Sequence, residues 1–136
     1  MVSKALAKYI RISSKRMQPI TRIVRGKRVG EALFILAGLN KRGAKVLKTV
    51  IESALANAKR VPDKTYTDDK LYISRLTVDQ GPSLKRFRAM SMGRAGTIRK
   101  RTSHVRVELD LLPGAQPAKK ERKEKVLKKK LVKQGA

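Results

Sequence analysis

The sequence predicts a small α+β domain carrying a long extended β-hairpin and a basic tail. Three observations predict it. Apolar residues recur at helical spacing through the first half of the chain. The period then changes to two, in two segments after residue 70. Those two segments are joined by a long basic stretch rather than a short turn.

Composition narrows the function before any motif does. The chain has 136 residues, with 35 Lys and Arg against 10 Asp and Glu, a formal net charge of +25. A compact domain gains nothing from that much self-repulsion, so a dense polyanion must neutralise it in the working state. Nucleic acid is the obvious candidate, because each neutralised phosphate releases condensed counterions. Apolar residues make up 40% and aromatics only 4%, which predicts an aliphatic, alanine-rich core. There is no Cys, so disulfides and thiolate metal sites are excluded. No run approaches a membrane span, and Met1 to Ala7 lacks a signal-peptide hydrophobic block. The expectation is a cytoplasmic protein with no membrane partner.

Lys4 to Ile12 alternates weakly and suits an edge strand. Ser13 and Ser14 are good N-cap residues for a first helix, since a hydroxyl can accept from free N–H groups of the first turn. Ile20, Ile23 and Val24 continue it at helical spacing, with Pro19 placed near its start. Gly26 fits the residue just past its end, with Arg25 and Lys27 at the negative end of the dipole. A second helix follows from Gly30, with Ala32, Leu33, Ile35, Leu36 and Leu39 as its apolar stripe and Asn40 as its end. The third is the strongest pattern: Val46, Leu47, Val50, Ile51, Ala54, Leu55 and Ala58. Ala54 and Ala58 are expected in the core. Lys41, Arg42, Lys45 and Lys48 crowd its N-terminal end, the wrong end for cations, so something outside the helix must compensate. Val61-Pro62-Asp63 stops it.

In the first strand segment, Leu71 to Asp79, alternation puts Tyr72, Ser74, Leu76 and Val78 on one face. In the second, Arg101 to Leu111, Ser103, Val105, Val107, Leu109 and Leu111 oppose Thr102, His104, Arg106, Glu108 and Asp110. Between them lie Gln80 to Lys100, without one acidic residue, and Lys85, Arg86, Arg88, Arg94, Arg99, Lys100 and Arg101 give this stretch a dense positive charge. Phe87, Met90, Met92 and Ile98 are unlike a flexible linker. Two strands continuing outward and turning near Met92-Gly93 fit better. At ~3.3 Å per residue, each arm would project roughly 30 Å. A bare ribbon of that length is not stable alone in water, so a partner must order it. A disordered basic loop is the competing reading. From Pro113 a breaker, Pro113-Gly114-Ala115-Gln116-Pro117, leads into nine Lys and Arg against two Glu. The predicted division is therefore 1–112, including the hairpin at about 80–102, and a basic tail at 113–136, disordered or marginally helical until it meets an anion.

Several ordered motifs then resemble one family. Gly81-Pro82-Ser83-Leu84-Lys85-Arg86, Gly93-Arg94-Ala95 and Lys100-Arg101-Thr102-Ser103-His104-Val105 are similar to the hallmark of the large-subunit ribosomal protein L twenty-two family. Ile23-Val24-Arg25-Gly26-Lys27 and Ile51-Glu52-Ser53-Ala54-Leu55-Ala56-Asn57-Ala58 resemble it too. The resemblance covers about residues 3 to 111. It implies three helices packed on a three-stranded antiparallel sheet, with the hairpin extended from it. It further implies a structural, non-catalytic protein of the large ribosomal subunit that binds large-subunit rRNA early in assembly. Its globular part would sit near the outer end of the peptide exit tunnel, and its hairpin would line the tunnel. Partners implied are rRNA, ribosomal protein L four near the tunnel, and the nascent polypeptide; no cofactor is implied. The subunit would be bacterial-type and cytoplasmic, with an organellar ribosome as the alternative. The RNA contacts expected are Lys15, Arg16, Arg25, Lys27, Lys85, Arg86, Arg88, Arg99, Lys100, Arg101, Thr102, Ser103 and His104. The expected tunnel tip is Met90, Met92, Gly93 and Arg94. The family tip often reads Pro-Arg-Ala before Gly-Arg-Ala, and here Ala89-Met90-Ser91-Met92 stands instead.

Other chemistry finds little support. His104 is the only histidine, and its neighbour Ser103 is predicted on the opposite strand face, so no nucleophile–base pair forms. Asp63, Asp68 and Asp69 cluster, but without ligand spacing a solvated loop is the simpler reading. Two non-ribosomal functions remain to be separated: a DNA-bending ribbon with Met92 as an apolar wedge, and a polyanion or membrane-surface binder acting through the tail.

Overall fold

The computed structural model describes residues 1–61, 64–114 and 118–119. The chain begins with β1 (Ser3–Ile10), then three helices, α1 (Ser14–Val24), α2 (Val29–Gly38) and α3 (Arg42–Lys59). A short β2 (Lys64–Thr65) precedes β3 (Leu71–Gln80), β4 (Leu84–Ala89), β5 (Ala95–Lys100), β6 (Ser103–Leu111) and β7 (Ala118–Lys119). The main sheet is antiparallel in the order β1-β6-β3, so β1 is an edge strand and β6 the central one. Among the described residues β4 pairs with β5 and β2 with β7, in separate two-stranded ladders. The predicted α+β class and three-helix, three-stranded architecture are what the chain adopts. The stop at Pro62-Asp63 and the tail beyond Gly114 lie outside the described residues, apart from the backbone of β7.

One face of the sheet is apolar and carries the helices. From β6 come Val105, Val107 and Leu109, from β3 Leu71, Ile73 and Leu76, and from β1 Ala5. They meet Met17, Ile20 and Val24 of α1, Ala32 and Leu36 of α2, and Leu47, Ile51, Ala54 and Ala58 of α3. The predicted core stripe of α3 is thus buried, except for Val46, which is half-buried at its edge. Removing such aliphatic surface from water is the main driving term, about 1.5–3 kcal/mol per fully buried side chain. Polar bonds fix the docking: the Ser3 hydroxyl donates to the Ala54 carbonyl at 2.9 Å, and the Asn57 amide donates to the Lys4 carbonyl at 3.1 Å.

Three local expectations are refined. Ser13 is the N-cap of α1, but its hydroxyl makes no capping bond; its carbonyl accepts from Arg16 and Met17. Pro19 lies well inside α1 rather than near its start. Gly26 takes φ +77 just past the helix, as its predicted position requires, and its N–H donates to the Ile73 carbonyl.

The face assignment in β3 needs correction. Ile73 pairs with Leu109 and Arg75 with Glu108, so Ser74 is an extra residue forming a bulge. Leu71 and Ile73 therefore share the buried face with Leu76, whereas Tyr72 is half-buried and Ser74 exposed. A simple period of two cannot register an inserted residue. β6 has no such insertion among its pairings to β3 beyond that point, and its alternation holds from Ser103 to Leu109.

Candidate nucleic-acid interface

Between β3 and β6 the chain leaves the main sheet as the β4–β5 ribbon. The junction is tight. The Gly81 N–H donates to the Thr102 carbonyl at 3.0 Å, and the Thr102 hydroxyl donates to the Pro82 carbonyl at 2.6 Å. A Cβ on Gly81 would stand 2.5 Å from the Thr102 hydroxyl oxygen and 3.1 Å from His104 Nε2. Only glycine leaves room there.

The ribbon itself has no apolar side to bury. All six residues of β4 are exposed. Its register pairs Leu84 with Lys100, Lys85 with Arg99, Arg86 with Ile98, Phe87 with Thr97 and Arg88 with Gly96. Pairing therefore puts Arg86, Arg88 and Lys100 on one face with Leu84 and Ile98, and Lys85 and Arg99 on the other with Phe87. Lys85 directly opposes Arg99, a like-charge pair that disfavours the ladder unless an anion lies against it. None of these cations has an acidic partner among the described residues. The ribbon turns at Ser91–Gly93, where Met92 and Gly93 take φ of 57 and 67. The turn is closed by the Met90 N–H donating to the Arg94 carbonyl at 2.8 Å. Met92 is 93% exposed at the apex. The turn predicted near Met92-Gly93 is where the chain reverses.

The remaining expected contacts divide. Lys15 and Arg16 are exposed on the first turn of α1. With Lys41 and Arg42 at the start of α3 they line a cavity of about 530 Å³, floored by Ile12, Pro19, Ile20 and Gly43. Neither helix carries an acidic residue in its first turn or a side-chain cap at its N-cap. Lys41 and Arg42 thus face other cations with no acidic partner among the described residues, while Lys48, one turn further on, pairs with Glu52 at 3.9 Å. Arg101 is exposed. Arg25 is also exposed, but its guanidinium already donates to the Leu76 carbonyl at 2.7 Å, and Lys27 is half-buried with its backbone bonded to Ile73. Thr102 and Ser103 depart from the expectation. Thr102 is buried at the junction and Ser103 is fully buried, its hydroxyl without a hydrogen bond. Neither side chain has surface to offer RNA. Their places beside the hallmark cations were set by the fold's needs. His104 is half-buried on the opposite face of β6 from Ser103 and accepts at Nδ1 from the Tyr9 N–H at 3.0 Å.

Sequence reasoning missed two features. The pairing of the α1 and α3 starts was visible only as unexplained cations. Tyr9, exposed beside His104, carried no signal beyond a weakly alternating strand. Asp68 pairs with Lys59 at 3.0 Å, Asp63 lies outside the described residues, and no group of metal-ligating side chains occurs among the described residues. No described helix is long and apolar enough to cross a membrane.

A helix-backed sheet with a bare cationic ribbon fits the class of ribosomal proteins, and the family comparison places the chain in it. The family model for ribosomal protein L22p/L17e matches residues 5–110. The chain is 44% identical over 107 residues to large ribosomal subunit protein uL22 of Halothermothrix orenii, covering 79% of this chain and 93% of that protein. It is 48% identical over 110 residues to the uL22 protein of Desulfotalea psychrophila, covering 81% and 98%, and 45% identical over 109 residues to that of Thermus thermophilus, covering 80% and 95%. The chain belongs to the ribosomal protein L22p/L17e family, a family of structural proteins rather than enzymes.

Proposed function

We propose that this protein is a structural constituent of the large ribosomal subunit in the cytoplasm, that it binds large-subunit rRNA chiefly through phosphates, and that it supports early subunit assembly. The β4–β5 ribbon carries this reading. It is cationic on both faces, opposes like charges at Lys85 and Arg99, and lacks any apolar layer of its own. Such a ribbon suits a surrounding of polyanion, with Lys85, Arg86, Arg88, Arg99, Lys100 and Arg101 on phosphates. The cavity of Lys15, Arg16, Lys41 and Arg42 adds a second cationic surface on the helical side. Residues 1–112 act as the RNA-binding unit and 113–136 as a basic extension. The ribbon's apex, with Met90, Met92, Gly93 and Arg94, lines the polypeptide exit tunnel, facing the nascent chain near ribosomal protein L four. The uncharged, exposed Met92 suits a wall that must not bind what passes it.

Sedimentation tests the reading. The chain should remain with large subunits through a high-salt wash, and should prefer an rRNA fragment over duplex DNA at moderate salt. Loss into the wash, or equal binding to DNA, would overturn it.

A further inference from the structure

The edge strand carries an unusual residue that the phosphate reading does not use. β1 pairs Ala7 with Val105 and Ile10 with Ser103, so one extra residue bulges out between them. Within that bulge Tyr9 takes φ 58, a left-handed conformation uncommon for a bulky side chain. Such strain persists only where its surroundings over-determine it, and here they do. The Tyr9 N–H donates to His104 Nδ1 at 3.0 Å, and the two rings meet edge to face, 4.8 Å apart at 87°. Yet Tyr9 is 63% exposed. The fold fixes an aromatic ring in place and then leaves it unburied. Among the described residues the phenol has no hydrogen-bond partner. Lys8 and Arg11 flank it, exposed, and Arg106 stands two residues beyond His104 on the same face of β6. Asp79, paired with His104 from β3, is exposed beside it, and Glu108 stands further along the same face of β6.

From this geometry we infer that Tyr9, braced by His104, is a stacking platform for an unpaired nucleobase of the bound RNA. Every base offers a π-face, and flanking cations hold the phosphates on either side of a splayed base. Nothing around the ring reads a base edge, so the platform accepts any base. The inference rests on the rRNA-binding reading but adds a different kind of contact, one insensitive to salt. Leu6, 49% exposed opposite Arg106, is the apolar part of this rim, but Lys8, Arg11 and Arg106 give it a net positive charge, which suits RNA better than a neighbouring protein's side chain.

The test uses the full chain and a large-subunit rRNA transcript over a series of salt concentrations. Tyr9→Asn removes the ring while tolerating positive φ; Tyr9→Gly does the same with still less strain and stands in should asparagine disturb folding. Either should weaken binding by roughly tenfold, the scale of one lost base stack, with the slope of affinity against salt unchanged. Tyr9→Phe should bind as the parent does. In reconstituted subunits, ultraviolet crosslinking should join Tyr9 to a nucleotide. Parent-like affinity of both ring-less variants, a flattened salt slope, or a crosslink to another protein would overturn the inference. If the parent chain itself fails to bind the transcript, the rRNA-binding reading fails first and this one with it.

Discussion

Gly81→Ala is the sharpest test of the ribbon's junction. The new Cβ would lie 2.5 Å from the Thr102 hydroxyl oxygen, far inside van der Waals contact. That oxygen cannot simply swing away. It donates to the Pro82 carbonyl at 2.6 Å, and Thr102 is only 7% exposed. Rotation forfeits this hydrogen bond, about 0.5–1.5 kcal/mol net, and buries a hydroxyl without a partner. Staying put forces the backbone apart, where the Gly81 N–H holds the Thr102 carbonyl at 3.0 Å. Overpacking of this kind costs about 1–3 kcal/mol, equivalent to a fall in Tm on the order of 5–15 °C. Thermal unfolding of the free protein measures it. The mechanism has a signature in a double-mutant cycle. Thr102→Ala removes the obstructing oxygen, so Gly81→Ala should cost less in that background, the remainder coming from His104 Nε2 at 3.1 Å. Strict additivity of the two substitutions would refute a clash at Thr102.

Three further outcomes follow from the same structure. Affinity for rRNA should fall by several powers of ten between low and moderate salt if about ten phosphates are contacted, and a nearly flat titration would contradict the electrostatic account. Leu47→Ala or Ile51→Ala, both fully buried on α3, should destabilise the free protein by roughly 2–5 kcal/mol in urea unfolding, whereas Phe34→Ala, 83% exposed on α2, should change stability by less than about 0.5 kcal/mol. Neutralising Arg99, Lys100 and Arg101 together should weaken incorporation into subunits, while Met92→Ala or Arg94→Ala should preserve incorporation and alter nascent-chain stalling; occupancy lost equally by both sets would make the apex an anchor.

Most of the fold was legible where burial is one-sided and regular. The stripe on α3 and the alternation of β6 each answer to a single apolar surface, so their periods survive into the structure. The faces of β3 were not legible, because the bulge at Ser74 shifts the phase by one residue without any change in composition. Tyr9 escaped for the same reason in β1. Among the expected contact residues, charge located the exposed cations of the ribbon. It could not separate them from Thr102 and Ser103, which sit in the same motif but are buried at its root. A motif records everything a segment must do, its packing included, and the linear order does not label which residue serves which need.

The β1 bulge and the glycine junction converge on one end of one strand. Ser103 at the start of β6 pairs with Ile10 just past the β1 bulge and with Gln80 just before the glycine junction. His104, its neighbour, braces Tyr9 on one side and abuts Gly81 on the other. From Val105 to Leu109 β6 itself needs only alternation to bury its core, and the bulge at Ser74 opposite Glu108 and Leu109 is absorbed by β3. The irregular end must stop the main ladder, release a ribbon that cannot support itself, and hold a strained aromatic at the surface. Backbone hydrogen bonds alone cannot specify all three, so the close contacts of Gly81, Thr102 and His104 do so. A substitution at His104 should therefore disturb both neighbours at once, loosening the Tyr9 bulge and the Gly81 junction, whereas a substitution at Arg106, two residues further along the same face, should disturb neither. Amide exchange read at Tyr9 and Gly81 in the free protein decides this: His104→Ala should accelerate both N–H groups together. Acceleration at Tyr9 alone would mean that the bulge and the ribbon's root are built independently.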